Sequence, residues 1–267
     1  NQPEIIWGET INRLAIHHDF KRNNWRFSTN ASYLNYRMDT ESAFAMIFYS
    51  KPLYKYMASD DILIEEVVNF AMNDNVEFVG GISFQYSGAM PKTNDLDIPF
   101  DEDFYTPFST KKPDWGVYQD SLFKDFGFNP LTYSNIGSFL QTTYNTEKLT
   151  LIGGVRFDSH SEYGKTFNPR FAAQFKATSN ISFRASYSEA FKAPTPYTTY
   201  NSLAVRTEDE EGNIGVDYWG IPNKNLEPEE FSAMELGGRF AITNKTHIEI
   251  IGFYNQIPID QMEYFDM

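Results

Sequence analysis

Along much of the chain, hydrophobic and polar residues alternate one for one in segments of about ten residues, the period of a strand with two unlike faces. In WRFSTNASY, Trp25, Phe27, Thr29, Ala31 and Tyr33 share a face. VEFVGGISFQY sets Val76, Phe78, Gly80, Ile82, Phe84 and Tyr86 against Glu77, Ser83 and Gln85. LTLIGGVRFD sets Leu149, Leu151, Val155 and Phe157 against Thr150, Arg156 and Asp158. RFAAQFKA and ISFRASY repeat the pattern, with Phe171, Ala173, Phe175 and then Ile181, Phe183, Ala185 and Tyr187 opposite Arg170, Gln174, Ser182 and Arg184. MELGGRFAI and HIEIIGFYN continue it with Met234, Leu236, Phe240, Ile248, Ile250 and Tyr254. Segments 62–72 and 134–145 alternate poorly and are read as strands because their neighbours need partners.

The connections carry a second pattern. Every other one is short and polar: KRNN (21–24), NDN (73–75), NTEK (145–148), TSN (178–180) and TNK (243–245). The intervening ones are read as long, over roughly 45–60, 88–132, 158–166 and 194–228. Short turns at one rim and long loops at the other describe an outer-membrane barrel, with periplasmic turns and extracellular loops. The count is ten strands in five hairpins. Trp25, Tyr33, Tyr86, Phe157, Tyr187 and Tyr254 lie near strand ends, where interfacial girdles place amphipathic rings. Ordinary sandwich-core aromatics are the alternative explanation.

Composition sharpens this picture. The 267 residues include 24 Phe and 17 Tyr, and aromatics reach 17%, high for a water-soluble domain. Charged residues make up 22%, so a bundle of membrane helices is excluded, and no apolar run approaches the roughly 20 residues of a spanning helix. A net charge of −14 opposes nucleic-acid binding, which needs a basic face. The chain has no cysteine, which removes disulfides, thiolate metal sites and a cysteine nucleophile. It starts at Asn1 and stops at Met267, just after a strand-like segment, which reads as a piece of something longer.

The run SNIGSFLQTTYNTEKLTLIGGVRFDSHSEYGKTFNPRFAAQFKATSNISFRASYSEAFKAPT (134–195) resembles the barrel of TonB-dependent outer-membrane receptors. The matching elements are the short turn leading to GGVRFD, NPR opening the next strand, and the RASYSEAFKAPT strand. After a long loop, NKNLEPEEFSAMELGGRF (223–240) is similar to the family's N-x-x-L-x-P-E…E-x-G motif, and IEIIGFYNQIPIDQM follows as a last strand. The likeness covers 134–262, and residues 1–133 add compatible hairpins.

The resemblance implies an all-β, antiparallel transmembrane barrel, with residues 1–267 one part of its barrel domain. It further implies a 22-stranded whole filled by an amino-terminal plug in a Gram-negative outer membrane. Its ligand would be a scarce nutrient such as an iron chelate, cobalamin or glycan. A TonB-type energy-transducing partner would act through the plug, which this sequence lacks. Alternatives are a complete ten-stranded outer-membrane enzyme, protease-like, or a soluble acidic β-sandwich that binds carbohydrate. Within the motif, Pro228 fixes φ where a strand begins. Glu235 is expected to face the lumen and Leu236 and Phe240 lipid. Gly153–Gly154 and Gly237–Gly238 are expected to allow tight curvature or close backbone approach. Arg184 would share the lumen face with Ser182, Ser186 and Ser188, and Glu189 would take the other parity near the loop end.

No enzymatic chemistry and no cofactor are expected. His17 and His18 are adjacent on a strand and so point to opposite faces, unable to chelate one metal together. The acidic loop TEDEEGNIGVD loosely resembles a calcium loop, with Asp209 and Glu211 as candidate ligands. The loop 88–132 holds an acidic cluster that includes Asp101 and Asp103, then Tyr105, Trp115 and Tyr118. Exposed rings beside carboxylates stack on a ligand and bond its hydroxyls, although the same rings would also pack a long loop over the barrel mouth. Trp219, in the loop 194–228, is a further ligand-binding candidate.

Overall fold

The computed structural model describes residues 6–44, 53–90, 99–101, 131–194, 204–208, 214–219, 226–243 and 245–257. Its strands in chain order are β1 (Glu9–Arg22), β2 (Trp25–Met38), β3 (Ala43–Phe44), β4 (Leu53–Tyr54), β5 (Ala58–Ala71), β6 (Val76–Met90) and β7 (Leu131–Asn145). Then come β8 (Leu149–His160), β9 (Gly164–Lys176), β10 (Ile181–Lys192), β11 (Ala204–Glu208), β12 (Ile214–Trp219), β13 (Glu229–Thr243) and β14 (Thr246–Gln256). Ten of these form one antiparallel sheet in the order β1-β2-β5-β6-β7-β8-β9-β10-β13-β14. Each strand pairs with the next long strand in sequence, so the sheet is a meander without crossovers. The pairs β3–β4 and β11–β12 are small hairpins within the connections expected to be long.

The short turns close on their own polar side chains. Asn23, between β1 and β2, takes φ 52, a left-handed conformation that asparagine tolerates. Between β5 and β6, Asn73 Oδ1 accepts from the amides of Asn75 and Val76, both at 2.9 Å. Thr146 Oγ1 accepts from Leu149 N at 2.9 Å, and Thr178 Oγ1 accepts from the amides of Asn180 and Ile181 at 3.1 Å. The Asn and Thr residues of NDN, NTEK and TSN are therefore the groups that reverse the chain.

One expected long connection is short. β8 runs to His160 and β9 starts at Gly164, leaving Ser161, Glu162 and Tyr163 between them. Gly164 adopts φ 78, which lets the pairing continue to His160↔Gly164 and reverses the chain in three residues.

Directly opposed residues of an antiparallel pair share a face, so the register traces each face across the sheet. One apolar line reads Trp25, Phe70, Phe78, then beyond Thr142 and Gly153, Phe171 and Tyr187. This face exposes its side chains: Leu236 is 67% exposed, Ile250 65% and Ile82 64%. A continuous apolar surface of this extent belongs against lipid rather than water. Near the short turns Trp25 stacks on Phe70 at 4.3 Å, and Phe70 lies 6.4 Å from Phe78, an aromatic row across β2, β5 and β6.

The register explains the weak alternation in β5 and β7. Glu66, Ser138 and Thr142 interrupt the apolar face, while Leu63, Val67 and Phe139 sit on the polar one. Phe139 lies over Gly81, where an added Cβ would fall 2.6 Å from its ring. Among the described residues, the buried hydrophobic side chains (Met38, Ala43, Tyr56 and Phe100) all lie at the end of the sheet opposite the short turns.

Candidate functional site: the polar face and its outer rim

The rim opposite the short turns is built from three chain segments. Met38 ends β2, Tyr56 precedes β5, and Phe100 comes from the connection between β6 and β7. The Tyr56 and Phe100 rings stack with centroids 4.0 Å apart and planes 1° apart, with Tyr36, Tyr54, Met57 and Met90 packed around them. Phe100 thus anchors the acidic, aromatic loop to the sheet, and Asp101 beside it is exposed at this rim. Asp103, Tyr105, Trp115, Tyr118, Asp209 and Glu211 lie outside the described residues, as does the side chain of Trp219, whose backbone ends β12. In sequence, Phe100 is marked only by the string IPFDED, a ring directly before the carboxylates.

Below the rim, the polar face is a wall of paired charges. Arg184 Nε donates to Glu235 at 2.9 Å and Nη1 to Glu249 at 3.0 Å, linking β10, β13 and β14. Glu235 therefore meets an arginine on this face, with Leu236 on the other, as expected from parity. Arg156 donates to both oxygens of Asp158 at 2.7 Å, and Asn135 Nδ2 donates to Asp158 at 3.3 Å. Asp158 is 2% exposed, and these donors satisfy its buried oxygens. Ser87 donates to Asp61, which also accepts from Ser59 at 3.1 Å. Nearer the short turns, Asp19 accepts from Ser28 at 2.5 Å and from Arg26 at 3.0 Å.

Glycines make room for this network. A Cβ at Gly137 would stand 2.6 Å from Ser83 Oγ, 2.8 Å from Arg156 Nη2 and 2.9 Å from Asp158 Oδ1. Gly154 and Gly237 lie beneath Arg170 and Arg184: a Cβ added there would fall 3.2 Å and 3.0 Å from their Nε atoms. Close approach is thus the role of Gly154 in the first expected pair and of both glycines in the second, where a Cβ at Gly238 would fall 3.1 Å from the Phe240 ring, whereas nothing lies within 4 Å of a Cβ at Gly153.

The histidines are kept apart. His17, on the polar face, bonds Asn30 at 2.7 Å and Asp19 at 3.1 Å, and His18 falls on the apolar face opposite Thr29. Among the described residues, no three His, Asp or Glu side chains gather as a metal site. Chemically the wall offers ion pairs and hydrogen-bonded carboxylates along a polar face, suited to contact with water and polar groups.

A polar face of paired charges, an apolar band and unequal rims define a transmembrane β-barrel wall. Residues 3–258 match the family model described as TonB dependent receptor-like, beta-barrel, and the chain belongs to that family. The vitamin B12 transporter BtuB of Vibrio cholerae serotype O1 is 23% identical over 192 residues, 70% of this chain and 23% of the transporter. A hemin receptor of Yersinia enterocolitica is 28% identical over 97 residues, 33% of this chain and 14% of that receptor. Among solved structures, the siderophore receptor PirA from Pseudomonas aeruginosa superposes with a TM-score of 0.63 at 17% identity, covering 93% of this chain and 39% of PirA. A mutant of the ferric enterobactin receptor PfeA from the same organism gives 0.68 at 13% identity, over 93% of this chain and 35% of PfeA. This chain therefore spans well under half the length of these relatives. Transporters and receptors, not enzymes, make up these matches, which sets aside the barrel-protease alternative. In a barrel of this family the polar face lines the lumen and the apolar face meets lipid.

Proposed function

We propose that these strands are part of the barrel wall of a Gram-negative outer-membrane receptor that captures a metal chelate outside the cell for energised uptake. The observation that carries this reading is the anchoring of the acidic, aromatic 88–132 loop to the rim through the Tyr56–Phe100 stack. Affinity for an external ligand has to come from groups above the membrane; Asp101 is exposed at this rim beside the Tyr56–Phe100 stack, and the loop's sequence supplies further rings and carboxylates. The relatives' names support the ligand class: vitamin B12, hemin and ferric enterobactin are all metal chelates with large planar or aromatic surfaces. Aromatic side chains suit such surfaces because they give contact area at low entropy cost, with two torsions per ring. In this reading the complete protein also carries a plug, through which an inner-membrane energy-transducing protein drives passage. The paired charges of the lumen face then keep the path hydrated.

The test uses the complete receptor and three probes: ferric enterobactin, hemin and cyanocobalamin. Trp115→Ala should weaken the one that binds by about tenfold, the scale of a hot-spot loss above 1 kcal/mol. Barrel assembly, read as heat-modifiable migration, should be unchanged. Binding of none of the three would refute the ligand class. Normal binding by Trp115→Ala, or loss of assembly with it, would reduce the loop to a packed lid.

A further inference from the structure

The apolar face carries a row of polar side chains across three adjacent strands. His18 of β1 is the register partner of Thr29 of β2, which is in turn the partner of Glu66 of β5. Along each strand the next residues on the same face are apolar: Ile16 and Phe20 around His18, Ala31 and Phe27 around Thr29, and Ile64 and Val68 around Glu66. Beyond Glu66 the row meets Ile82, itself 64% exposed. Thr29 Oγ1 donates to Glu66 Oε2 at 2.6 Å. A carboxylate has about four acceptor positions, and this one hydroxyl fills a single one. Acyl chains offer no donors, so a lipid neighbour would leave both Glu66 and the His18 ring without polar company on their outer side.

We propose that this patch is where two copies of the receptor meet side by side in the membrane. The inference rests on the lipid-facing assignment of this surface and is independent of ligand identity. Charge complementarity selects a second copy as the occupant. Outer-membrane barrels share one orientation, so a two-fold axis between copies must run along the membrane normal. An axis through Thr29 brings His18 of each copy to the side occupied by Glu66 of the other. Each carboxylate then gains an imidazole donor, and the contact is isologous. Shape agrees with charge. Thr29, on the axis, and Ala31, its next neighbour on the same face, are small, while Ile16 and Ile64 flank Ala31 as shoulders. Close approach of the β2 strands is therefore sterically open at the point the symmetry requires.

The chain has no cysteine, so within it an introduced thiol is a unique reporter. In the complete receptor in native outer membranes, Thr29→Cys should oxidise to a disulfide-linked homodimer, since on the axis the two thiols come within bonding reach. Ala185→Cys, on the apolar face of β10, should not. Adding Glu66→Leu to Thr29→Cys should remove most of the dimer while heat-modifiable migration persists. Exchanging the charges, His18→Glu with Glu66→His, should restore it. Three results would overturn the proposal: no dimer above the Ala185→Cys control, a dimer indifferent to Glu66→Leu, or an adduct whose mass is not twice that of the receptor. If Glu66→Leu fails to assemble, the exchanged pair decides the matter by forming or not forming the dimer.

Discussion

Leu140→Arg and Gln141→Arg place the same charge on neighbouring residues of β7 that face opposite ways. Leu140 lies between Gly80 and Val155 in the register of the apolar face and is 52% exposed there. The diagonal neighbours on that face are Phe78, Ile82, Gly153 and Phe157, so an arginine at 140 meets no counter-charge. In a barrel an arginine facing the lipid midplane costs about 2–4 kcal/mol. At 1.36 kcal/mol per tenfold, that lowers the folding equilibrium constant about 30-fold to about 900-fold. Gln141 lies between Val79 and Gly154 on the polar face, with Arg170 close above Gly154. Water solvates and screens the new charge there, so Gln141→Arg should cost less than about 1 kcal/mol, most of it repulsion from Arg170. The assay is guanidinium unfolding of the complete receptor in lipid vesicles, followed by loss of heat-modifiable migration. Equal midpoint shifts for the two variants would refute the assignment of faces. A larger shift for Gln141→Arg would invert it.

Gly137→Ala should lower stability in the same assay by about 1–3 kcal/mol, the usual cost of forcing atoms into a filled site, because its Cβ would press on Ser83, Arg156 and Asp158 at once. No change would mean that the Arg156–Asp158 network has slack. Arg184→Ala should cost less than about 1 kcal/mol, since Arg184, Glu235 and Glu249 are each more than a third exposed on a hydrated face. A loss of several kcal/mol would indicate that this part of the wall is dry.

Strand parity was legible wherever one face had a single chemistry. In β6, β8, β9, β10 and β13 the alternation read from sequence is the facing observed, because lipid and water impose opposite demands on successive residues. β5 and β7 were obscure for local reasons. Glu66 sits where the pattern calls for an apolar residue, and Phe139 is tolerated on the polar face by the gap at Gly81. The turn at Ser161–Tyr163 looks like a long loop in sequence, because strand ends beyond the bilayer carry polar residues on both faces and lose their period. The hairpins β3–β4 and β11–β12 were missed, being too short to show one. Asp101 could be singled out as a carboxylate beside rings, but the Tyr56–Phe100 stack joins residues far apart in the chain and leaves no local signal. The Gly137 contacts with β6 and β8 were hidden in the same way.

The central claim is that these strands cross a membrane, with the polar turns of NDN, NTEK and TSN on one side and, apart from the tight turn at Ser161–Tyr163, the longer connections on the other. Strand β9 tests it at both ends. Its 13 residues rise about 3.3 Å each, and a tilt of roughly 40° leaves about 33 Å along the normal, enough to cross an apolar band about 25 Å tall. Glu162 is exposed before the strand and Ser179 is exposed after it. In the complete receptor on intact cells, a membrane-impermeant maleimide should label Glu162→Cys, and should label Ser179→Cys only once the outer membrane is permeabilised. Equal labelling of the two on intact cells, or labelling of Ser179→Cys alone, would contradict the account.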